Sequence, residues 1–277
     1  MAVPYLELAV SLSPIEPWRE LMIAQLGTLG FEGFIDTPRG FNAYLPEADF
    51  DKNSLMSLPV FDATGLEVSW RSKIIPPQNW NATWEKNFSP IRVGGRCVVR
   101  AHFHPPENAE YELVITPKMS FGTGHHSTTQ MMISFLLDFD LTGRTVLDMG
   151  TGTGVLAILA EKRGGKKVLA LDNDPWCVEN TQENMTMNDC KNIVIRWGEK
   201  VPTTKKFDLI LANINRNVLL EQIRDYAEVL IDGGSLLMSG FYVDDLVLIQ
   251  RECERVGFDF ILNFEQNQWV AAHFLKV

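Results

Sequence analysis

The sequence predicts an α/β fold: a parallel sheet covered on both faces, finished by an antiparallel hairpin, with a small α+β domain ahead of it. Three observations carry this. Apolar runs at 145–149 (TVLDM), 167–172 (KVLALD), 193–197 (IVIRW), 207–213 (FDLILAN) and 234–240 (GSLLMSG) alternate with helix-like segments, as strands buried on both faces require. Residues 258–264 (FDFILNF) and 268–277 (QWVAAHFLKV) flank Glu265-Gln266-Asn267 with no helix between them, which reads as a closing hairpin. The first 75 residues follow the order βαββαβ. A length of 277 residues suits two compact domains.

Taken in order, residues 5–12 (YLELAVSL) alternate with the period of a strand, and Ile15, Trp18, Leu21, Met22, Leu26 and Leu29 follow helical spacing up to Gly27 and Gly30. Phe31 to Asp36, the turn Thr37-Pro38-Arg39-Gly40 and Phe41 to Leu45 form a hairpin, after which DKNSLMSL is a short helix and LEVSWRSK a last strand. This order predicts a ferredoxin-like α+β domain over residues 1–75. Pro76-Pro77 marks its boundary, because proline disfavours helix at the residue before it. A linker over 76–95 carries Trp80, Trp84 and Phe88 at i, i+4, i+8, an aromatic stripe expected to pack on a neighbouring domain. The remaining domain, 96–277, opens with strands CVVRAHF and YELVIT before a Gly/Thr-rich loop at 116–129.

Composition excludes several classes. Hydrophobic residues at 45%, charged residues at 22%, and ordinary glycine and proline usage exclude disordered and collagen-like chains. No apolar run approaches the ~18 residues of a membrane span, and no basic region precedes the first apolar stretch, which already carries Glu7. A cytoplasmic monomer with no membrane partner is expected. Cys97, Cys177, Cys190 and Cys253 fit neither a disulfide framework nor a zinc spacing. The net charge of −10 argues against non-specific nucleic-acid binding, and no direct sequence-specific nucleic-acid binding is expected. Residues 1–75 hold five basic residues (Arg19, Arg39, Lys52, Arg71, Lys73) against ten acidic ones, which reads either as an ordinary solvated surface or as docking for a basic protein.

The chemistry-bearing residues lie at predicted strand ends. Asp148-Met149-Gly150-Thr151-Gly152-Thr153-Gly154 runs from a strand into an apolar helix, and small residues there let the backbone approach a ligand closely. A dinucleotide loop would need its third glycine at Val155, and Asp148 would set a carboxylate beside a pyrophosphate, so a cationic ligand fits better. Asp172 ends the next strand, 22 residues after Gly150, where a carboxylate can accept hydrogen bonds from a ribose diol. Asp174 before Pro175 suits a helix cap, and Trp197-Gly198-Glu199 reads as an exposed turn or as the adenine contact that the family resemblance given below implies. At the fourth strand end, Asn213 carries an amide that can both accept from an attacking amine and donate to a cofactor, or it is a capping residue. His125 and His126 invite a metal reading, but adjacent side chains rarely converge on one ion. No metal is expected there or at His102 and His104 on a strand face.

With the loop from Thr116 to Thr129 included, the chain resembles the ribosomal protein L11 methyltransferase family (PrmA), class I methyltransferases that use S-adenosylmethionine. The family's lid reads Asp-Pro-Gly-x-Ala-Phe-Gly-Thr-Gly-x-His-x-Thr-Thr, followed by Asp-x-Gly-x-Gly-x-Gly and later Ala-Asn-Ile. The matching positions are Pro117, Phe121 to Gly124, His126, Thr128, Thr129, Asp148 to Gly154 and Ala212 to Ile214. Thr116, Lys118, Ser120 and Asn215-Arg216 depart from the family pattern. The resemblance implies a Rossmann-like class I methyltransferase sheet. It also implies cofactor contacts at Thr129, Gly150, Asp172 and Asn213, with Asp148, Gly152 and Gly124 in the same cradle, and substrate recruitment by residues 1–75. Transfer to lysine and N-terminal amino groups of ribosomal protein L11 follows from it, with Asn213 orienting the amine and Phe121 shielding the methyl group. A class I methyltransferase acting on a small molecule or another protein is the alternative.

Overall fold

The structure is a computed structural model that describes residues 3–76 and 80–277. The chain divides into two compact units, Met1–Asn87 and Phe88–Val277, a division that falls inside the 76–95 segment. Pro77 of the expected boundary lies outside the described residues, as does the side chain of Trp80 from the expected aromatic stripe.

The first unit comprises β1 (Tyr5–Ser13), α1 (Trp18–Thr28), β2 (Gly33–Thr37), β3 (Gly40–Pro46), α2 (Lys52–Met56), β4 (Glu67–Ile75) and α3 (Trp80–Asn87). Its strands lie in the order β2-β3-β1-β4 with every pair antiparallel, so two βαβ crossovers interleave. Period-two patterning sends Leu6, Leu8, Val10 and Leu12 of β1 to one face, where they pack with Met22 and Leu26 of α1 and Phe41, Ala43 and Leu45 of β3. Helix α1 continues through Gly27, which an interior position tolerates at roughly 1 kcal/mol relative to alanine. It stops at Gly30, whose φ of +91° turns the chain out of the helix. The Asp51 carboxylate accepts from the N–H groups of Asn53 and Ser54 and starts α2, and these bonds with the Ser54 hydroxyl hold its carboxyl below the usual range.

The second unit opens with a three-stranded sheet of β5 (Ile91–Val93), β6 (Cys97–Arg100) and β7 (Tyr111–Val114). Strand β6 ends earlier than the sequence suggested. The chain turns after Arg100, where the Ala101 N–H donates to His104 Nδ1 (3.1 Å), so His102 and His104 sit in a turn and not on a strand face. There follow α4 (Ser127–Asp138), β8 (Thr145–Met149), α5 (Val155–Lys162), β9 (Lys167–Asp172), α6 (Pro175–Met187), β10 (Ile193–Trp197), β11 (Phe207–Asn213), α7 (Arg216–Val229), β12 (Leu230–Tyr242), α8 (Leu246–Glu254), β13 (Phe258–Gln266) and β14 (Trp269–Lys276).

The main sheet has the order β10-β9-β8-β11-β12-β14-β13. Its first five strands are parallel, and β14 runs antiparallel to both neighbours. The expected closing hairpin is present, and Asn267 and Gln268 turn it with positive φ (52° and 66°), as a two-residue primed turn requires. One face buries Val146, Leu209, Leu211 and Leu237 under α4 and α5, and the other buries Leu147, Ile210, Ala212 and Leu236 under α7 and α8. Strands packed on both faces cannot vary without cavities, each large-to-small change there costing about 2–5 kcal/mol. Their loops can vary, and the parallel arrangement gathers the loops after β8, β9 and β11 at one edge.

Candidate active site

Three polar side chains end three buried strands at that edge: Asp148 in β8, Asp172 in β9 and Asn213 in β11. Full burial pushes the Asp148 carboxyl up to about 7, with the Asp172 charge adding to the shift and the Thr151 hydroxyl, donating to Oδ2 at 2.6 Å, opposing it. Asp172 is held from two sides, with the Gly152 N–H donating to Oδ2 (2.9 Å) and the Asp174 N–H to Oδ1 (3.0 Å). Two backbone bonds leave lone pairs on both oxygens, so this fixed carboxylate can still accept from a diol.

The glycine turn after β8 is fastened to β9 by the Gly150 and Thr151 N–H groups, which both donate to the Leu171 carbonyl (2.9 and 3.0 Å). At Gly152, φ is +58° and a Cβ would stand 2.2 Å from the Phe121 carbonyl oxygen; at Gly150, φ is +68° and a Cβ would stand 2.2 Å from Ile214 Cγ2. Only glycine lets the loop before α4 and the turn after β11 come this close.

The loop before α4 rests on the glycine turn. Thr153 donates to the Phe121 carbonyl through its N–H (2.9 Å) and to the Gly122 carbonyl through its hydroxyl (2.8 Å). The Phe121 side chain is half exposed, with its ring 5.2 Å from His126. Gly124 packs on Val99 of β6, and its carbonyl accepts from Gln130 Nε2 (3.1 Å). His126 caps α4 through Nδ1, while the His125 ring lies 4.4 Å from Phe88, so the two histidines diverge. Among the described residues, no group of three or more His, Cys, Asp or Glu side chains is placed to hold a metal.

Among the described residues, four buried polar side-chain atoms have no partner: Thr129 Oγ1 in the first turn of α4, Asp148 Oδ1, Asn213 Oδ1, and Asn180 Oδ1 in α6. An unsatisfied buried polar atom costs about 1–3 kcal/mol, so Asp148 Oδ1 and Asn213 Oδ1, at the ends of neighbouring β8 and β11, mark where a ligand with complementary donors would be held. The structure thus brings Asp148, Gly150, Gly152, Asp172 and Asn213 together, with Phe121 joined through its backbone. Asp174 caps α6, accepting from the Trp176 N–H (2.9 Å), and Trp197 is exposed with its indole N–H on the Asn173 carbonyl (3.0 Å).

Sequence reasoning missed the supports of this site. Asn180 and Asn184 on α6 and Asn188 at its C-cap, one turn apart, form a ladder that satisfies backbone from two other segments. Asn184 accepts from the Thr116 N–H (2.9 Å) and donates to the Thr153 carbonyl (2.8 Å), while Asn188 accepts from and donates to Val114 (3.0 and 2.7 Å). Their i, i+4, i+8 spacing was visible and was the available signal. The closing hairpin also pins the start of α4: Asn267 Nδ2 donates to Ser127 Oγ (2.9 Å), and the Trp269 ring lies 4.9 Å from His126. Two departures from the family pattern acquire plain structural roles, Lys118 pairing with Glu183 of α6 and Asn215 capping α7.

Comparison with known proteins gives a consistent result. The profile of the family described as ribosomal protein L11 methyltransferase (PrmA) matches residues 33–276. A ribosomal protein L11 methyltransferase of Porphyromonas gingivalis is 44% identical over 94% of this chain and 91% of its own length, and one of Phocaeicola vulgatus is 40% identical over 98% and 99%. The crystal structure of the ribosomal protein L11 methylase of Lactobacillus delbrueckii subsp. bulgaricus superposes with a TM-score of 0.63 at 26% identity, covering 68% of this chain and 99% of that one.

Proposed function

The chain belongs to the ribosomal protein L11 methyltransferase family, and from that membership we propose that it transfers methyl groups from S-adenosylmethionine to lysine and N-terminal amino groups of ribosomal protein L11. The observation that carries this reading is the set of unpartnered buried polar atoms around a glycine cradle lined by two carboxylates. That set of acceptors suits a ligand with a sulfonium and an ammonium on one side and a ribose diol on the other.

The residues that would hold the cofactor are Thr129, Asp148, Gly150, Gly152, Asp172 and Asn213, with Gly124 shaping the lid. When bound, S-adenosylmethionine supplies an electrophilic methyl group on a positively charged sulfur. The chain's own part is to orient and desolvate the attacking amine. Ordinary pKa values of about 10.4 for lysine and about 8 for an α-amine mean that a proton must leave first, and a dry pocket lowers that demand. Asn213 Oδ1 accepts from the neutral amine and fixes its approach, and Phe121 shields the methyl group from water. No side chain is required as general base, and the proton passes to solvent. The first unit recruits the substrate, its acidic excess favouring a basic protein. The enzyme is read as a cytoplasmic monomer, and no described helix is long and apolar enough to cross a membrane.

Labelled methyl transfer from S-adenosylmethionine into purified unmethylated L11, with sites mapped by mass spectrometry, tests the reading. Label on lysines and the N-terminal amine is expected. Cofactor binding without label on L11, but with label on metabolites, would move the activity to a small-molecule substrate.

A further inference from the structure

The opposite edge of the main sheet carries a feature that methyl transfer does not use. A groove of about 630 Å³ crosses the amino ends of β8, β9, β10 and β11. Five lysines line it: Lys166 ahead of β9 and Lys167 at its first position, Lys191 ahead of β10, and Lys205 and Lys206 ahead of β11. From β10 to β11 this spans three strand spacings, about 14 Å. Among the described residues none of the five is in an ion pair, and Lys206 donates to the Glu228 carbonyl. Two carboxylates border the groove through its own lining residues, Glu161 accepting from the N–H groups of Lys191 and Asn192 and Asp208 from Thr145, but neither pairs with a lysine ammonium and no acid lines the groove. In a chain of net charge −10, five unpaired cations in one groove are a local reversal of sign.

We propose that this groove binds the phosphate backbone of RNA. The observations favour that occupant over an acidic peptide. Lysine ammoniums are point charges suited to phosphate, and the groove offers no arginine fork for bidentate carboxylate recognition. Its lining has no aromatic side chain except Phe207, which is buried, so no platform for stacking bases is present and the contact is to charge and not to sequence. The groove faces away from the carboxyl edge, so RNA held there leaves the methyl-transfer site open.

The test uses the full chain and a short labelled RNA hairpin, with binding followed by fluorescence anisotropy from about 50 to about 200 mM salt. The wild type is expected to bind with a steep salt dependence. The variant Lys166→Gln/Lys167→Gln/Lys205→Gln/Lys206→Gln is expected to bind at least about tenfold more weakly, with the log–log salt slope reduced by about 3. Methylation of free L11 by the same variant is expected to stay at the wild-type rate, so a failure of the groove and a failure of the methylation reading are separate results. No RNA binding by the wild type at low salt, an unchanged slope in the variant, or equal displacement of the hairpin by a poly-glutamate peptide would each overturn the proposal.

Discussion

The two units treat polar groups in opposite ways. Among the described residues the first unit buries no polar or charged side chain, whereas the second buries fifteen, and all four unpartnered buried polar atoms belong to the second. The antiparallel sheet of the first unit alternates, so each strand sends its polar residues to solvent and leaves an apolar layer behind. The central parallel strands β8, β9 and β11 of the second unit are covered on both faces, and Asp148, Asp172 and Asn213 enter at their carboxyl ends. The lesson is that where central strands are covered on both faces, a polar side chain left unpartnered at a strand end, as in Asp148 and Asn213, marks the site.

Glycine substitutions should break this comparison most sharply. Gly152→Ala forces a left-handed residue and a Cβ into the Phe121 backbone, so we expect a loss of about 2–3 kcal/mol in stability and at least about a hundredfold weaker cofactor binding, read by thermal melting and calorimetry. Gly65→Ala in the first unit also has positive φ (+84°) but meets nothing within 4 Å. It should cost about 1 kcal/mol and leave methyl transfer unchanged. Equal effects at the two positions would remove the distinction between scaffold and site.

Asn213→Ala sharpens the comparison from the chemical side. It removes an acceptor that has no protein partner, so stability should change by less than about 1 kcal/mol while turnover falls about 10²–10³-fold. Wild-type turnover in this variant would end the assignment. Asp172→Ala should weaken cofactor affinity in calorimetry, and because it also releases the Gly152 and Asp174 N–H groups, some stability should be lost with it.

Most of the architecture is legible in the sequence, because both units obey simple periodicities. The apolar runs of β8, β9 and β11, the alternation of β1, and the hairpin around Asn267 each follow from one local rule. The site is legible as far as glycines and strand-end acids reveal it. What stays hidden is long-range satisfaction. Asn184 reads as one more polar residue on a helix, and only folding shows that it bonds Thr116 and Thr153, 68 and 31 residues away. The early end of β6 is hidden for a different, local reason: CVVRAHF is apolar enough to continue, but the His104 ring three residues on captures the Ala101 N–H in competition with the strand ladder. The lysine groove is missed because whole-chain charge averages it away.

Asp148 supplies a pH test of the same contrast. Its carboxyl is raised in the folded state to about 7 against an ordinary value near 4, so the folded protein holds a proton that the unfolded chain has released. Stability from this group is therefore full below about pH 4 and is lost progressively as pH rises to about 7, a few kcal/mol at most. Asp148→Asn should flatten the apo stability curve over that window. A cationic cofactor favours the ionised carboxylate, so binding near pH 6 should release protons, measurable by calorimetry in buffers of different ionisation enthalpy. No proton release in the wild type would mean that Asp148 does not face the ligand's charge.

The smallest effect is expected at Lys118, where the chain departs from the family's lid. Its ammonium meets Glu183 of α6 with both side chains about half exposed, a setting in which solvent and salt screen the pair. Lys118→Ala should change stability by less than about 0.5 kcal/mol, and that small change should vanish at high salt. The lid is held to the glycine turn by Thr153 and to α6 by Asn184, bonds that do not involve the Lys118 side chain. Methyl transfer should therefore persist. A large loss of turnover with intact stability would mean that the ion pair sets the lid's position, and that this departure from the family pattern is a working part of the site.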